Sequence, residues 1–210
     1  MIVCVYHMWP FQPQTLRGNR QIKCVDLIVL GAGLAGSAIA WQARFRGWSV
    51  ALIDRLDPQT SSRVAAGLVT PVTGSRGAAS WRWDEFYPIA ENFYYRIEQT
   101  TGKSFWTVAP ALKVFGNQEE KDLYQTRWID PNRKQPSSGI RASRFPAING
   151  IGILAPYGIC QLEPAARLDT TAYLNASHDY LIPSECFLSP TSTAIKRSRS
   201  KLRVLLQLSR

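Results

Sequence analysis

The stretch VDLIVLGAGLAG, residues 25–36, decides the fold prediction for this chain. Residues 25–30 are a short aliphatic run without polar alternation, which is typical of a parallel strand buried on both faces. A G-x-G-x-x-G pattern follows directly, with its glycines at Gly31, Gly33 and Gly36. The pattern alone is weak evidence because chance matches are common, so the residues around it have to decide what it means.

The residues after the glycines predict a helix and then a second strand. The segment SAIAWQARFR, residues 37–46, continues a helical spacing of apolar side chains, and Gly47 stands where a C-capping glycine is expected. The apolar positions of this predicted helix are Leu34, Ala38, Ile39 and Phe45. WSVALID, residues 48–54, is again aliphatic and closes a βαβ unit of about thirty residues. This is the context in which the glycine pattern binds a dinucleotide.

Each glycine then has a physical role. Gly31 permits the tight turn from strand to helix, Gly33 lets the backbone approach a pyrophosphate, and Gly36 permits close packing of helix on strand. The helix N-terminus supplies amide donors, and an acidic residue at the end of the second strand accepts hydrogen bonds from ribose hydroxyls. The sequence thus predicts a site for an ADP moiety, with a purely structural glycine turn as the alternative. Its residues are Gly31, Ala32, Gly33, Leu34, Ala35, Gly36, Asp54 and Arg55.

The segment after the second strand separates FAD from NAD, which share the ADP moiety. RLDPQTSSRVAAGLVTPVTG, residues 55–74, is a small-residue loop, whereas an NAD domain would continue into further helix and strand. It resembles the stretch with which flavoproteins of the D-amino-acid-oxidase (DAO) family wrap the pyrophosphate and reach the isoalloxazine. Alternatives are a polar surface loop and, with it, an NAD-dependent dehydrogenase. The residues that carry the resemblance are Ser61, Ser62, Arg63, Ala65, Ala66 and Gly67.

The resemblance covers residues 25 to about 181. Within the family, this stretch is similar to glycine oxidase and to the oxidase domain of the enzyme that modifies the wobble uridine of tRNA. It implies an α/β fold: a Rossmann-type FAD-binding βαβ unit with part of a mixed-sheet α+β substrate domain. It also implies oxidation of an amino acid or secondary amine at the carbon–nitrogen bond. FAD is expected to be non-covalent, because Ser61 to Gly77 includes no histidine or cysteine for attachment. No catalytic residue and no metal ligand is assigned.

The predicted organisation has five parts: a leader (1–24), an FAD-binding Rossmann module (25–80), a partial substrate domain (81–165), a return helix (166–183) and an irregular basic tail (184–210). Members of the family run longer, and nothing after Pro183 resembles their second half. The chain is therefore expected to be truncated, as an enzyme or as an inactive fragment. An unpaired sheet edge would favour self-association.

Several elements outside the βαβ unit are also predicted. A helix over Asp84–Thr101 carries one apolar face, and a helix over residues 170–181 follows Asp169 as N-cap. The segment 108–116 predicts one edge strand with Pro110 near its start, and Asn117 with Glu120 predicts a capped helix through Arg127. Residues 130–139 read as a surface loop. The apolar face of the helix predicted over Asp84–Thr101 consists of Phe86, Ile89, Ala90, Phe93, Tyr94 and Ile97.

Composition narrows the function classes. Of the net charge of +10, residues 1–23 carry three units and the last sixteen residues six, which leaves about +1 for the body and argues against a nucleic-acid partner. No apolar run reaches the roughly 20 residues that span a bilayer, so no membrane association and a cytoplasmic location are expected.

His7 and His178 are predicted to lie at the surface. The tryptophans and tyrosines from Trp81 to Trp106 are predicted to lie in the core rather than in an amine pocket. Cys4, Cys24, Cys160 and Cys186 are predicted to be reduced and mostly buried.

Overall fold

The computed structural model describes residues 25–55, 57–74, 76–130, 139–145, 154–181, 193–198 and 201–206. The described residues divide into two compact units, one within Met1–Ala65 and Thr170–Arg210 and the other within Ala66–Asp169. The predicted leader and residues 131–138 of the predicted loop lie outside the described residues. The predicted functional boundaries of the five parts stay predictions, because a division by packing does not test what each part binds.

The described elements alternate between short strands and helices. The helices are α1 (Leu34–Phe45), α2 (Ser61–Val64), α3 (Trp83–Thr101), α4 (Gln118–Tyr124), which continues as a π-helical turn (Gln125–Ile129), and α5 (Thr170–Leu181). The strands are β1 (Leu27–Leu30), β2 (Val50–Ile53), β3 (Leu68–Val69), β4 (Val72–Thr73), β5 (Ala78–Ala79), β6 (Trp106–Val108), β7 (Ala111–Val114), β8 (Arg141–Phe145), β9 (Ile159–Glu163), β10 (Ala166–Leu168), β11 (Thr193–Ser198) and β12 (Lys201–Leu206).

The first unit opens with the predicted βαβ arrangement. β1 and β2 pair in parallel, with Leu27 opposite Val50 and Leu30 opposite Ile53, and α1 connects them. Helix α1 ends before Gly47, whose φ of +81° is the left-handed conformation that favours glycine at this position. The strand, helix and second strand predicted from residues 25–54 are confirmed.

Helix α1 buries a different face from the predicted one. The predicted apolar positions are only half-buried, and the indole of Trp41 is fully buried instead. Trp41 contacts α5: its Nε1–H donates to Ser177 Oγ at 2.9 Å, and its ring stacks on Tyr180 with 4.8 Å between the centroids. Because these contacts join residues 136 positions apart or more, local periodicity could not predict them. The buried residues of α1 are Gly36, Ser37, Ala40, Trp41 and Ala43.

The second unit is built from small antiparallel sheets. Two of them have three strands, in the orders β3–β10–β6 and β7–β9–β8, and β4 pairs with β5. Helix α3 confirms the predicted long helix and ends at Gly102, whose φ is +66°. Its core side chains are Trp83, Tyr87 and Ile97, whereas Phe86 and Ile89 of the predicted face are 41% and 55% exposed. The prediction of the helix is therefore confirmed and that of its buried face is partly wrong.

The predicted strand 108–116 is corrected by the structure. Pro110 has no backbone N–H for a ladder, and it separates two short strands, β6 and β7, that belong to different sheets. Each lies at an edge of its sheet, as a proline in this position predicts. The predicted cap is confirmed, because Asn117 Oδ1 accepts the N–H of Glu120 at 2.8 Å while Glu120 Oε2 accepts that of Gly116 at 2.8 Å.

Cys160 lies in the aromatic core of the second unit. It is a free thiol, fully buried among side chains that include Tyr124 and Trp128. Burial raises the pKa of the Cys160 thiol to about 11, so the thiol stays protonated at neutral pH. The prediction of a reduced, buried cysteine is thus confirmed for Cys160, and the other three cysteines lie outside the described residues.

The tail predicted to be irregular contains a hairpin. β11 and β12 pair antiparallel over six residue pairs, from Thr193 opposite Leu206 to Ser198 opposite Lys201. Residues 193–206 are rich enough in β-branched and aliphatic residues to form strands despite their basic and serine content. Among the described residues, no helix is long and apolar enough to cross a membrane, and no three His, Cys, Asp or Glu side chains group as metal ligands.

Candidate nucleotide-binding site

The turn between β1 and α1 requires glycine at two positions. Gly31 has a φ of +95°, a conformation that side chains other than hydrogen disfavour. A Cβ at Gly36 would lie 1.8 Å from the carbonyl oxygen of Gly31, so α1 can approach the turn this closely only because Gly36 has no side chain. The N–H of Gly31 donates to Ile53 O at 2.8 Å, which ties the turn to the end of β2.

The N-terminus of α1 leaves backbone donors without protein acceptors. Gly33 is the N-cap residue and has no side chain that could cap the helix. Its carbonyl accepts the N–H of Ser37 at 2.9 Å. Within the described part of the chain, the N–H groups of Gly33, Ala35 and Gly36 meet no hydrogen-bond acceptor. Unpaired donors at the positive end of a helix dipole form a site suited to an anion.

Two predicted site residues reach this turn from other elements. Asp54 directly follows β2, and its Oδ2 accepts the N–H of Ala32 at 2.6 Å. Ser62 of α2 accepts the N–H of Leu34 through its Oγ at 3.2 Å. A Cβ at Gly33 would lie only 2.8 Å from that Oγ, so Ser62 approaches the turn across a space that glycine leaves open. The structure therefore brings Asp54 and Ser62 together with the glycine turn.

The remaining predicted residues are placed differently from one another. Ser61 to Val64 form the single turn of α2, so the segment predicted as a loop is partly helical. Arg63 Nη1 donates to Asn175 Oδ1 of α5 at 3.0 Å, and the carbonyl of Ala65 accepts from Thr170 Oγ1 at 3.3 Å. Ala35, Arg55 and Ser61 are exposed. Ala66 and Gly67 belong to the second unit, where the Gly67 carbonyl accepts the N–H of Leu168 at 2.8 Å.

Sequence reasoning missed His178. It was expected at the surface, but it is half-buried on α5, and its Nε2 lies 2.9 Å from the carbonyl oxygen of Ala32. Because a carbonyl only accepts, Nε2–H is the donor of this hydrogen bond. A separation of 146 residues leaves no spacing signal in the sequence. The predicted return helix was the one available hint, and it does not say which side chain faces the turn.

The aromatic residues between Trp81 and Trp106 divide between core and surface. Trp83 and Tyr87 are buried in the core of the second unit, as predicted. Trp81 is 76% exposed and Tyr95 is 59% exposed, so the core prediction is wrong for these two. Sequence periodicity identified the helix that carries them without identifying the side that packs.

The geometry of the first unit fits the pyrophosphate of a dinucleotide. The turn offers three backbone donors. A Cβ at Gly33 would meet Ser62 Oγ at 2.8 Å, and one at Gly36 would collide with the carbonyl oxygen of Gly31, so both positions require glycine. Asp54 supplies a carboxylate at the end of the neighbouring strand, where ribose hydroxyls are bound in such units.

The comparisons with known proteins identify the family. The sequence model of the DAO family, FAD dependent oxidoreductase, matches residues 26–177. The chain therefore belongs to the DAO family of FAD-dependent oxidoreductases, as its resemblance predicted.

Individual relatives lie within the same class. The chain is 28% identical over 179 residues to the tRNA 5-methylaminomethyl-2-thiouridine biosynthesis bifunctional protein MnmC of Pseudomonas fluorescens, covering 75% of this chain and 25% of that protein. It is 27% identical over 105 residues to the bifunctional protein ThiO/ThiG of Trichormus variabilis, covering 47% of this chain and 16% of that protein. The chain thus spans a quarter or less of the length of these curated relatives.

Two solved structures share the fold. An L-amino acid deaminase of Proteus vulgaris aligns with a TM-score of 0.54 and 15% identity, over 81% of this chain and 45% of that one. The L-amino acid deaminase of Proteus myxofaciens, determined in complex with anthranilate, aligns with a TM-score of 0.53 and 12% identity, over 83% and 39%. The chain therefore shares the mixed helix and strand fold of these two deaminases.

Proposed function

We propose that the first unit is a Rossmann-type module that binds FAD non-covalently, in an oxidoreductase that acts on an amino acid or a secondary amine. The observation that carries the proposal is the group of three backbone donors at Gly33, Ala35 and Gly36, which have no protein acceptor and lie beside Asp54 in a parallel βαβ unit. Membership of an FAD-dependent family supports FAD over NAD as the dinucleotide.

In this proposal each residue of the turn has a binding role. The N–H groups of Gly33, Ala35 and Gly36 donate to the pyrophosphate, and the Asp54 carboxylate accepts from the adenosine ribose. Ser62 reaches the turn from α2, whereas Arg63 of the same helix donates to Asn175 of α5. When bound, FAD supplies a two-electron oxidant for the carbon beside an amine nitrogen. We assign no catalytic residue within this chain.

Two further observations bear on the substrate class. The name of the MnmC relative contains a methylaminomethyl group, which is a secondary amine and suits oxidation at a carbon–nitrogen bond. The near-neutral body of the present chain argues against a polyanion as the molecule that this part binds. We therefore propose a small amine or amino acid as substrate.

A glycine substitution tests the proposed site. In Gly33→Val the added side chain would meet Ser62 Oγ and occupy the space beside the free amides, so we expect FAD binding to be lost. The measurement is an equilibrium titration of FAD with the purified chain, with circular dichroism to check the fold. Gly116→Val is the matched control, because a Cβ there has only an ordinary contact at 3.6 Å. If Gly33→Val folds and binds FAD with unchanged affinity, the turn is structural.

A further inference from the structure

We infer that His178 is a positioning residue of the nucleotide site, which orients the peptide group between Ala32 and Gly33. The inference rests on the proposed function for the role of that site, and on the hydrogen bond from His178 Nε2–H to the carbonyl oxygen of Ala32, 2.9 Å long, for its geometry.

Three successive peptide groups of the turn are each held by a side chain from a different element. Asp54 accepts the N–H of Ala32, His178 donates to the carbonyl of Ala32, and Ser62 accepts the N–H of Leu34. In the first and third of these peptide groups, the N–H already donates to a side chain. The middle peptide group is held by its carbonyl, so its N–H, that of Gly33, stays available.

Because a peptide group is planar, the contact of His178 with the Ala32 carbonyl also sets the direction of the Gly33 N–H. In a trans peptide the C=O and the following N–H point in opposite directions. Because the Ala32 carbonyl is directed to α5, the N–H of Gly33 is directed away from α5, to a side where no described residue accepts it. Glycine tolerates both signs of φ, so Gly33 itself does not fix the orientation of the peptide group that precedes it. The hydrogen bond from His178 fixes that orientation instead.

Helix α5 is anchored well enough for this role. Ser177, adjacent to His178, is fully buried and accepts from the Trp41 indole, which fixes α5 against α1. Asn175 accepts from Arg63, and Thr171 Oγ1 donates to the Arg63 carbonyl at 3.4 Å, which fixes α5 against α2. Helix α5, which carries His178, is thus fixed against two elements of the same site.

Substitutions at His178 separate positioning from simple packing. Glutamine places an N–H donor at a similar reach, whereas leucine fills similar space without a donor. We expect His178→Leu to weaken FAD binding about three- to tenfold, the worth of one neutral hydrogen bond, and His178→Gln to stay within about twofold of the unmodified chain. Asp179→Asn, exposed on the same helix, is the control.

A second readout makes the test independent of FAD. In the unliganded chain labelled with ¹⁵N-glycine, the Gly33 amide resonance should shift in His178→Leu and return towards its original position in His178→Gln. Absence of FAD binding by the unmodified chain would contradict the proposed function, while the Gly33 resonance would still test the positioning. Equal affinity and an unmoved Gly33 resonance in His178→Leu, or equal losses in both variants, would overturn the inference.

Discussion

Asp54 combines two tasks at the scale of a single residue. It accepts the N–H of Ala32, and in the proposed site its carboxylate also accepts from the ribose. We expect Asp54→Ala to weaken FAD binding roughly ten- to a hundredfold, because a hydrogen bond to a charged group is worth about 1.5 to 3 kcal/mol. Asp54→Asn keeps an oxygen acceptor for Ala32 and should lose less. Titration calorimetry with both variants checks this, and a loss below twofold in Asp54→Ala would place the ribose elsewhere.

At the same scale, the sequence predicted the glycine positions and failed for His178. The roles of Gly31 and Gly36 follow from backbone geometry within one short segment, so the pattern contains them. The contacts of Ser62 and His178 with the turn depend on how distant elements fold back. Ser62 was named as a site residue from a family resemblance, without its contact to the N–H of Leu34, whereas His178 had neither a motif nor a spacing to indicate it.

The packing of α5 on α1 makes a prediction at the scale of elements. Ser177→Ala would leave the Nε1–H of the fully buried Trp41 without its acceptor, and such a loss costs about 1 to 3 kcal/mol. We expect the free energy of unfolding to fall by that amount in urea denaturation followed by circular dichroism. Ser104→Ala, at an exposed position, is the matched control. An unchanged unfolding midpoint in Ser177→Ala would mean that the indole finds another partner.

Elements were predicted better than the faces they bury. Helical period and capping residues located α1, α3, α4 and α5, because these signals lie within each segment. The buried face of α1 was not recovered and that of α3 only in part, since Trp41 is buried by a helix more than a hundred residues away and Phe86 is exposed while Ile97 is buried. Pro110 correctly predicted a position at a sheet edge. It was expected within one strand, however, and it separates two strands that belong to different sheets.

At the scale of the whole molecule, we expect the open edge of strand β6 to favour self-association. β6 lies at the end of its sheet, with no further strand beside it among the described residues, and Val108 on it is 58% exposed. An open apolar edge is a template for pairing with another copy. We expect the purified chain to associate and Val108→Lys to reduce this in sedimentation velocity experiments. Leu154→Lys, at a 91% exposed position outside any strand, should have less effect; equal effects would indicate a general consequence of charge.

Affinity for FAD relative to NADH tests the central claim most directly. Both ligands contain an ADP moiety, so a site for ADP alone would bind them equally. The flavin-binding account predicts a preference for FAD, whereas an NAD-dependent dehydrogenase would prefer NADH. In a competition titration of the unmodified chain, we expect FAD to displace NADH and to bind more tightly. Equal or tighter retention of NADH, with the chain shown to be folded, would contradict the account.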